Sequence, residues 1–229
     1  MLYASTKSTT DKLIRSFGRI KSRKLSLQKE TLLNNLLPTY FLEKYQKNNF
    51  SQNILEIGYG FGDFLFQQAS NNQHAMFYGC EPHLNGIINL LAKLQKQPLY
   101  NLKINNYDVR LFLQTFPDNF FQQIFILFPD PWPKIKHHKR RLINSHFLDF
   151  ILAKKIAPNG KLIIVTDHCD YATWILSRPT NHFIWQATTN KDWQHFPPYW
   201  HETKYQLKAK NEGRECIYLE FQPTSFDLI

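Results

Sequence analysis

Apolar positions along this chain form short blocks with two kinds of spacing. Near-continuous apolar runs, expected of strands covered on both faces, occur at 53–57 (NILEI), 76–80 (MFYGC), 102–105, 124–128 (IFILF) and 161–166 (KLIIVT). Between them apolar residues recur three or four positions apart, most clearly at Leu84, Ile87, Ile88, Leu91 and Leu94. The spacing predicts helices over 64–69, 84–94, 109–115, 147–155 and 171–176, and one over 25–45 interrupted near Pro38. Pro158-Asn159-Gly160 reads as a turn and 183–187 as a short strand. Residues 203–210 alternate, with Tyr205, Leu207 and Ala209 on one side. Asn211-Glu212-Gly213 turns and 214–221 returns, which predicts a hairpin closing a sheet edge.

The repeating unit is therefore strand, acid, helix. Glu56, Glu81, Asp108, Asp130 and Asp167 all stand at or just after the end of a predicted strand. In open α/β sheets ligands bind outside the carboxyl ends of the strands, so these acids are expected to converge on one crevice. After the first strand comes Gly58-Tyr59-Gly60-Phe61-Gly62-Asp63. A strand, a glycine-rich turn and a helix make a nucleotide-binding unit, because glycines let a ligand approach the backbone. The spacing is GxGxG, not the GxGxxG favoured for a dinucleotide pyrophosphate. Glu81 ends the second strand, where a carboxylate accepts bonds from both hydroxyls of a ribose.

The most distinctive stretch is 124–144. A buried strand runs into Pro129-Asp130-Pro131-Trp132-Pro133. Three prolines in five residues exclude both helix and ladder and leave a rigid loop carrying one carboxylate and one indole. Lys134, Lys136, His137, His138, Lys139, Arg140 and Arg141 follow with no acid among them. A carboxylate beside an indole, followed by five Lys/Arg cations, suits a base from a polyanion.

Composition narrows the class. The 229 residues, 43% hydrophobic and 20% charged, suffice for one large α/β domain or two small ones. No apolar run nears the roughly 18 residues of a membrane span, and the N-terminus lacks the apolar core of a secretory signal. Three scattered cysteines, Cys80, Cys169 and Cys216, suggest neither a disulfide framework nor a zinc site, so a reducing, cytoplasmic setting without metal is expected. The net charge of +10 is concentrated in two islands, +7 within residues 1–50 and +5 within 134–141. Two basic islands read as a footprint for nucleic acid; neither has the apolar helical face that a membrane surface requires. Residues 1–27 form a basic arm, either a solvated tail or a segment that orders on RNA, and 28–229 a single domain.

RSFGR at 15–19, LEIGYGFG at 55–62, GCEPH at 79–83, FPDPWPKIKHHKRRL at 128–142, TDHCDYA at 166–172 and TKYQLKA at 203–209 together resemble the bacterial tRNA (guanine-N7)-methyltransferases, class I S-adenosylmethionine-dependent enzymes. The fourth piece is highly specific; the second alone is generic. The resemblance implies a Rossmann-like, seven-stranded, mostly parallel sheet with an antiparallel last strand and helices on both faces. It implies an S-adenosylmethionine site built from Glu56, Gly58, Gly60, Glu81, Asp108 and Asp130. For tRNA and guanine it implies Lys134, Asp167 and the Thr203–Gln206 segment, beside Trp132, Lys139, Arg140 and Arg141 from the basic loop. The family carries Thr-x-x-Glu where this chain has Thr203-Lys204-Tyr205-Gln206, an uncharged hydrogen-bonding group in place of a carboxylate. Methyl transfer to guanine N7 needs no general base, and Asp130 is the expected partner for the guanine edge. No obligatory protein partner is implied. The rival readings are a dehydrogenase, a non-catalytic tRNA-binding protein, and a methyltransferase acting on another RNA base or a protein amine. The long basic run favours RNA over the last of these.

Overall fold

The computed structural model describes residues 25–178, 182–187 and 192–224. Most of the basic arm, residues 1–24, lies outside them. The first described element, α1 (Leu27–Tyr40), is a single helix that carries Pro38 within its last turn and ends where Phe41 turns to extended backbone, its N–H still donating to the Leu37 carbonyl. The expectation of a longer, interrupted helix to residue 45 is corrected accordingly.

Strand and helix then alternate: β1 (Gln52–Ile57), α2 (Asp63–Asn71), β2 (Ala75–Cys80), α3 (Leu84–Lys96), β3 (Leu102–Asn105), α4 (Val109–Gln114), β4 (Phe121–Leu127), β5 (Ile156–Thr166), α5 (Cys169–Leu176), β6 (Phe183–Trp185), α6 (Lys204–Asn211) and β7 (Ile217–Pro223). They build one seven-stranded sheet in the order β3-β2-β1-β4-β5-β7-β6. The first five strands in that order run parallel; β7 is antiparallel to both β5 and β6. Both faces of the sheet are covered, as the continuous apolar runs require. On β4, Ile124 and Ile126 join α4, α5 and Phe147 on one side, while Phe125 and Leu127 join α1, α2 and α3 on the other.

The basic run forms an element of its own, and three local expectations change. The basic run is a short 3-10 helix, Ile135–Arg140, and Phe147–Leu152 is a π-helical turn, not a regular helix reaching 155. The Pro158-Asn159-Gly160 segment does not end a strand. β5 passes through it, and the register against β4 jumps from Phe121↔Ile156 to Gln123↔Lys161, so the extra residues bulge outward. The predicted hairpin over 203–221 is replaced by α6 followed by β7. Burial falls on Thr203, Gln206 and Ala209, three residues apart, while Tyr205 and Leu207 are exposed. Helical burial has overridden the apparent alternation.

Candidate active site

The sheet turns back on itself at β1: the chain steps outward through β2 and β3, then returns to place β4 on the other side. A crevice opens there above the carboxyl ends of β1 and β4. Gly58, Gly60 and Gly62 carry the chain across it with φ of 74°, 52° and 71°. Gly62 is the N-cap of α2 and has no side chain to satisfy the first turn. Glu56 takes that role, accepting the backbone N–H of Leu65 with one carboxylate oxygen. Its other oxygen, Oε2, is buried without a hydrogen-bond partner among the described residues. The residue is only 3% exposed. Burial first, then the Glu81 and Asp63 carboxylates, push its carboxyl up to about 8, so it holds a proton at neutral pH.

Glu81 pins the glycine turn. One oxygen accepts from Gly60 N–H at 2.9 Å, the other from His83 N–H at 2.8 Å. Burial raises this carboxyl; those two bonds oppose the shift, and the charge of Asp130 adds to it. α3 crosses so close that a Cβ on Gly86 would stand 2.3 Å from the Gly60 carbonyl oxygen. Gly58 is the opposite case: among the described residues a Cβ there would meet nothing within 4 Å.

The wall facing the turn comes from the far end of the sequence. Thr203, Lys204 and Tyr205 line the crevice with Glu56, Gly58 and Phe128. Thr203 caps α6, its Oγ1 accepting the Gln206 N–H at 3.1 Å. Gln206 is buried, and its Oε1 accepts from Trp200 Nε1 at 2.7 Å, so both residues build the wall. The Lys204 ammonium sits 4.6 Å over the Phe61 ring, and Tyr205 stacks on Phe128 with centroids 6.1 Å apart. Sequence reasoning missed Tyr205 and Phe128. The Thr-x-x-Gln capping signature at 203–206 was the signal that could have found the helix and hence this wall.

The loop after β4 leaves the sheet sharply. Phe128 N–H still donates to Val165 O at 2.7 Å, but Phe128 and Trp132 have φ of 51° and 44°. Left-handed backbone at bulky residues costs roughly 1–2 kcal/mol each and persists only where surrounding contacts over-determine it. Asp130, between them, is exposed, and its charge acts on Glu81 and Tyr205. The Arg140 guanidinium lies 4.8 Å over the Trp132 ring, and His137 meets that ring edge-on. Lys134, Lys136 and Lys139 are exposed. Arg141 is not a surface cation, contrary to expectation: it is 3% exposed and donates from Nε to the Pro131 carbonyl at 2.7 Å. Burial lowers its pKa from the ordinary guanidinium value.

Glu56, Glu81 and Asp130 thus act on one crevice, whereas the other two acids have structural partners. Asp108 caps α4 and grips Arg110 with both oxygens, at 2.7 and 2.6 Å. Asp167 pairs with Arg214 at 2.9 Å. Among the described residues no cluster of three His, Cys, Asp or Glu side chains is arranged to hold a metal ion.

Residues 51–219 match a family model described as "Putative methyltransferase". A tRNA (guanine-N(7)-)-methyltransferase of Agrobacterium fabrum is 36% identical over 222 residues, covering 90% of this chain and 93% of that one. The chain belongs to the tRNA (guanine-N7)-methyltransferase family. A family member from Rhodospirillum rubrum is 34% identical over 91% of this chain and 87% of its own. One from Wolbachia pipientis is 44% identical over 147 residues, 59% of this chain and 66% of its own. Among solved structures, TrmN from Thermus thermophilus superposes with a TM-score of 0.53 at 14% identity, over 86% of this chain and 48% of that one. The antibiotic-resistance methyltransferase Kmr gives 0.53 at 12% identity, over 78% and 89%. At such identities these two speak for the fold alone, which this family member shares.

Proposed function

We propose that this chain transfers a methyl group from S-adenosylmethionine to N7 of the variable-loop guanine of tRNA, forming 7-methylguanosine. The observation that carries the reading is the meeting of two loops at the sheet's switch point. The glycine turn is pinned by Glu81, and the proline-rich loop presents Asp130 and Trp132 beside a run of cations.

Two features of the crevice suit the cofactor. The unpartnered Oε2 of Glu56, the oxygen left to carry the carboxyl proton, is a donor facing no acceptor among the described residues, and the open face of Gly58 admits a ligand against the backbone. Glu81 would accept the ribose hydroxyls with the lone pairs left by Gly60 and His83, while Gly60 keeps the turn low beneath them. Asp108, held by Arg110, would set the far corner of that seat. When bound, S-adenosylmethionine supplies a methyl carbon on a sulfonium, whose sulfur leaves with the bonding pair.

The acceptor N7 has an in-plane lone pair and no proton, so the protein's work is positioning and exclusion of water. Asp130 would accept from guanine N1–H and N2–H and offset the positive charge that the purine gains. Trp132 would wall or stack on the base, a contact worth roughly 1–3 kcal/mol. Lys134, Lys139 and Arg140 would hold phosphates and set register, which fixes the base without reading sequence. Asp167, Thr203 and Gln206 would shape the substrate side, Asp167 through Arg214, Gln206 through Trp200 and Thr203 by capping the helix that carries Gln206. The arm at residues 1–27 would add further phosphate contacts ahead of the single domain at 28–229. A cytoplasmic site of action is supported by three cysteines that are all free, Cys169 of them exposed.

Incubation with methyl-labelled S-adenosylmethionine and unmodified tRNA, followed by nucleoside analysis, tests the reading. Label in 7-methylguanosine is expected. Label in another base, in protein, or in neither would overturn it.

A further inference from the structure

We propose that Arg141 is a positioning residue: it fixes the loop that presents Asp130 and Trp132 by clamping it to α5. The inference rests on the functional reading above, and its observations are independent of the crevice. Arg141 follows the 3-10 helix and turns inward. Its Nε–H donates to the carbonyl of Pro131, the residue between Asp130 and Trp132. Its guanidinium lies against two rings of α5, with Cζ 4.8 Å from the Tyr171 centroid and 4.7 Å from that of Trp174. Tyr171 and Trp174 are three residues apart and so share a helix face. Trp174 Nε1–H in turn donates to the Ile143 carbonyl at 3.1 Å, and Asn144 Nδ2 donates to the Arg141 carbonyl at 3.2 Å.

This clamp is physically specific. Pro131 has no N–H, so its carbonyl is the only backbone hydrogen-bonding group that residue offers, and a planar donor between ring faces reaches it. A cation with 3% exposure cannot neutralise a phosphate without leaving both rings. The left-handed backbone at Trp132 needs outside contacts to persist, and the bond to Pro131 is immediately adjacent. Releasing it displaces the carboxylate and the indole together, and misplacement by about 1 Å can cost on the order of 100-fold in rate.

The test uses the full chain with Arg141→Lys, which keeps the charge but loses the planar fork. Single-turnover methylation at saturating tRNA should fall roughly 10- to 100-fold. Calorimetric affinity for S-adenosylmethionine and the salt slope of tRNA binding should match the parent, whereas Lys139→Ala should reduce the slope by about one phosphate. In an Asp130→Asn background the same change should cost clearly less than it does in the parent, because part of what the clamp positions is already lost. A parental rate, a reduced salt slope, or losses that multiply in the double variant would each overturn the proposal. If Asp130→Asn alone keeps the parental rate, the reading of Asp130 fails, and the cycle with Trp132→Ala then decides on Arg141 by the same criterion. Should Arg141→Lys not fold, Trp174→Leu removes one ring of the clamp, and a parental rate in that variant overturns the proposal.

Discussion

Glu56→Gln isolates the cost of keeping a carboxyl at the floor of the crevice. The amide oxygen can still accept the Leu65 N–H, and the amide nitrogen takes the place of Oε2, which has no partner among the described residues. The folded chain holds the Glu56 proton up to about pH 8, whereas the unfolded chain releases it near 4.5. Between those values the folded state carries the extra proton, so the parent's stability falls as pH rises and levels off above about 8. Each unit is worth about 1.4 kcal/mol, so the full span amounts to roughly 4–5 kcal/mol as an order of magnitude. The glutamine variant has no such slope. Leaving its buried amide hydrogens unpaired costs about 1–3 kcal/mol, but that offset does not vary with pH. The neighbouring Glu81 and Asp63 are present in both proteins, so their titration largely cancels. Urea unfolding of both proteins without cofactor, at pH 5 to 9, should show the variant gaining on the parent up to about pH 8. Parallel profiles would refute the reasoning, since they would mean that Glu56 is ionised in the folded chain.

Three further outcomes are expected. Asp130→Asn presents a donor to guanine's own N1 and N2 donors and should lower single-turnover methylation at least roughly 100-fold, with no pH step from a catalytic base; near-normal turnover would remove Asp130 from the mechanism. Glu81→Ala should weaken S-adenosylmethionine binding by about 1–3 kcal/mol, and calorimetry showing parental affinity in a folded variant would reject that contact. Gly86→Ala drives a methyl group into the Gly60 carbonyl and should lower stability by about 1–3 kcal/mol, which an unchanged melting temperature would contradict.

The parallel half of the fold was legible because each strand is a continuous apolar run and each crossover helix repeats its apolar face. The end of the chain was not. Residues 203–210 alternate as a strand should, but Thr203 and Gln206 form a helix start, and the hydrogen bond from Trp200 that buries Gln206 crosses a loop which local spacing cannot foresee. The acids at strand ends were legible as a set but not by fate. Nothing in the spacing shows that Arg110 takes Asp108 or that Arg214, just before β7, takes Asp167 at the end of the neighbouring β5. Arg141 was misread for the same reason. A cation in a basic run looks solvated until α5, whose rings lie some thirty residues on, folds against it.

The position of β7 sets a kinetic order for the molecule. It is the last strand in sequence yet lies between β5 and β6, so β6 can join the sheet only after β7 has emerged and paired with Thr166 through Leu162. The helix that precedes β7 carries Thr203, Lys204 and Tyr205, which face a glycine turn about 140 residues earlier. Contacts of such separation close late, after the local βα units have formed. A growing chain therefore displays the glycine turn and Glu81 well before the opposite wall can reach them. Full ligand affinity marks completion of the sheet, and recovery of S-adenosylmethionine binding during refolding should follow β7 insertion instead of early helix formation.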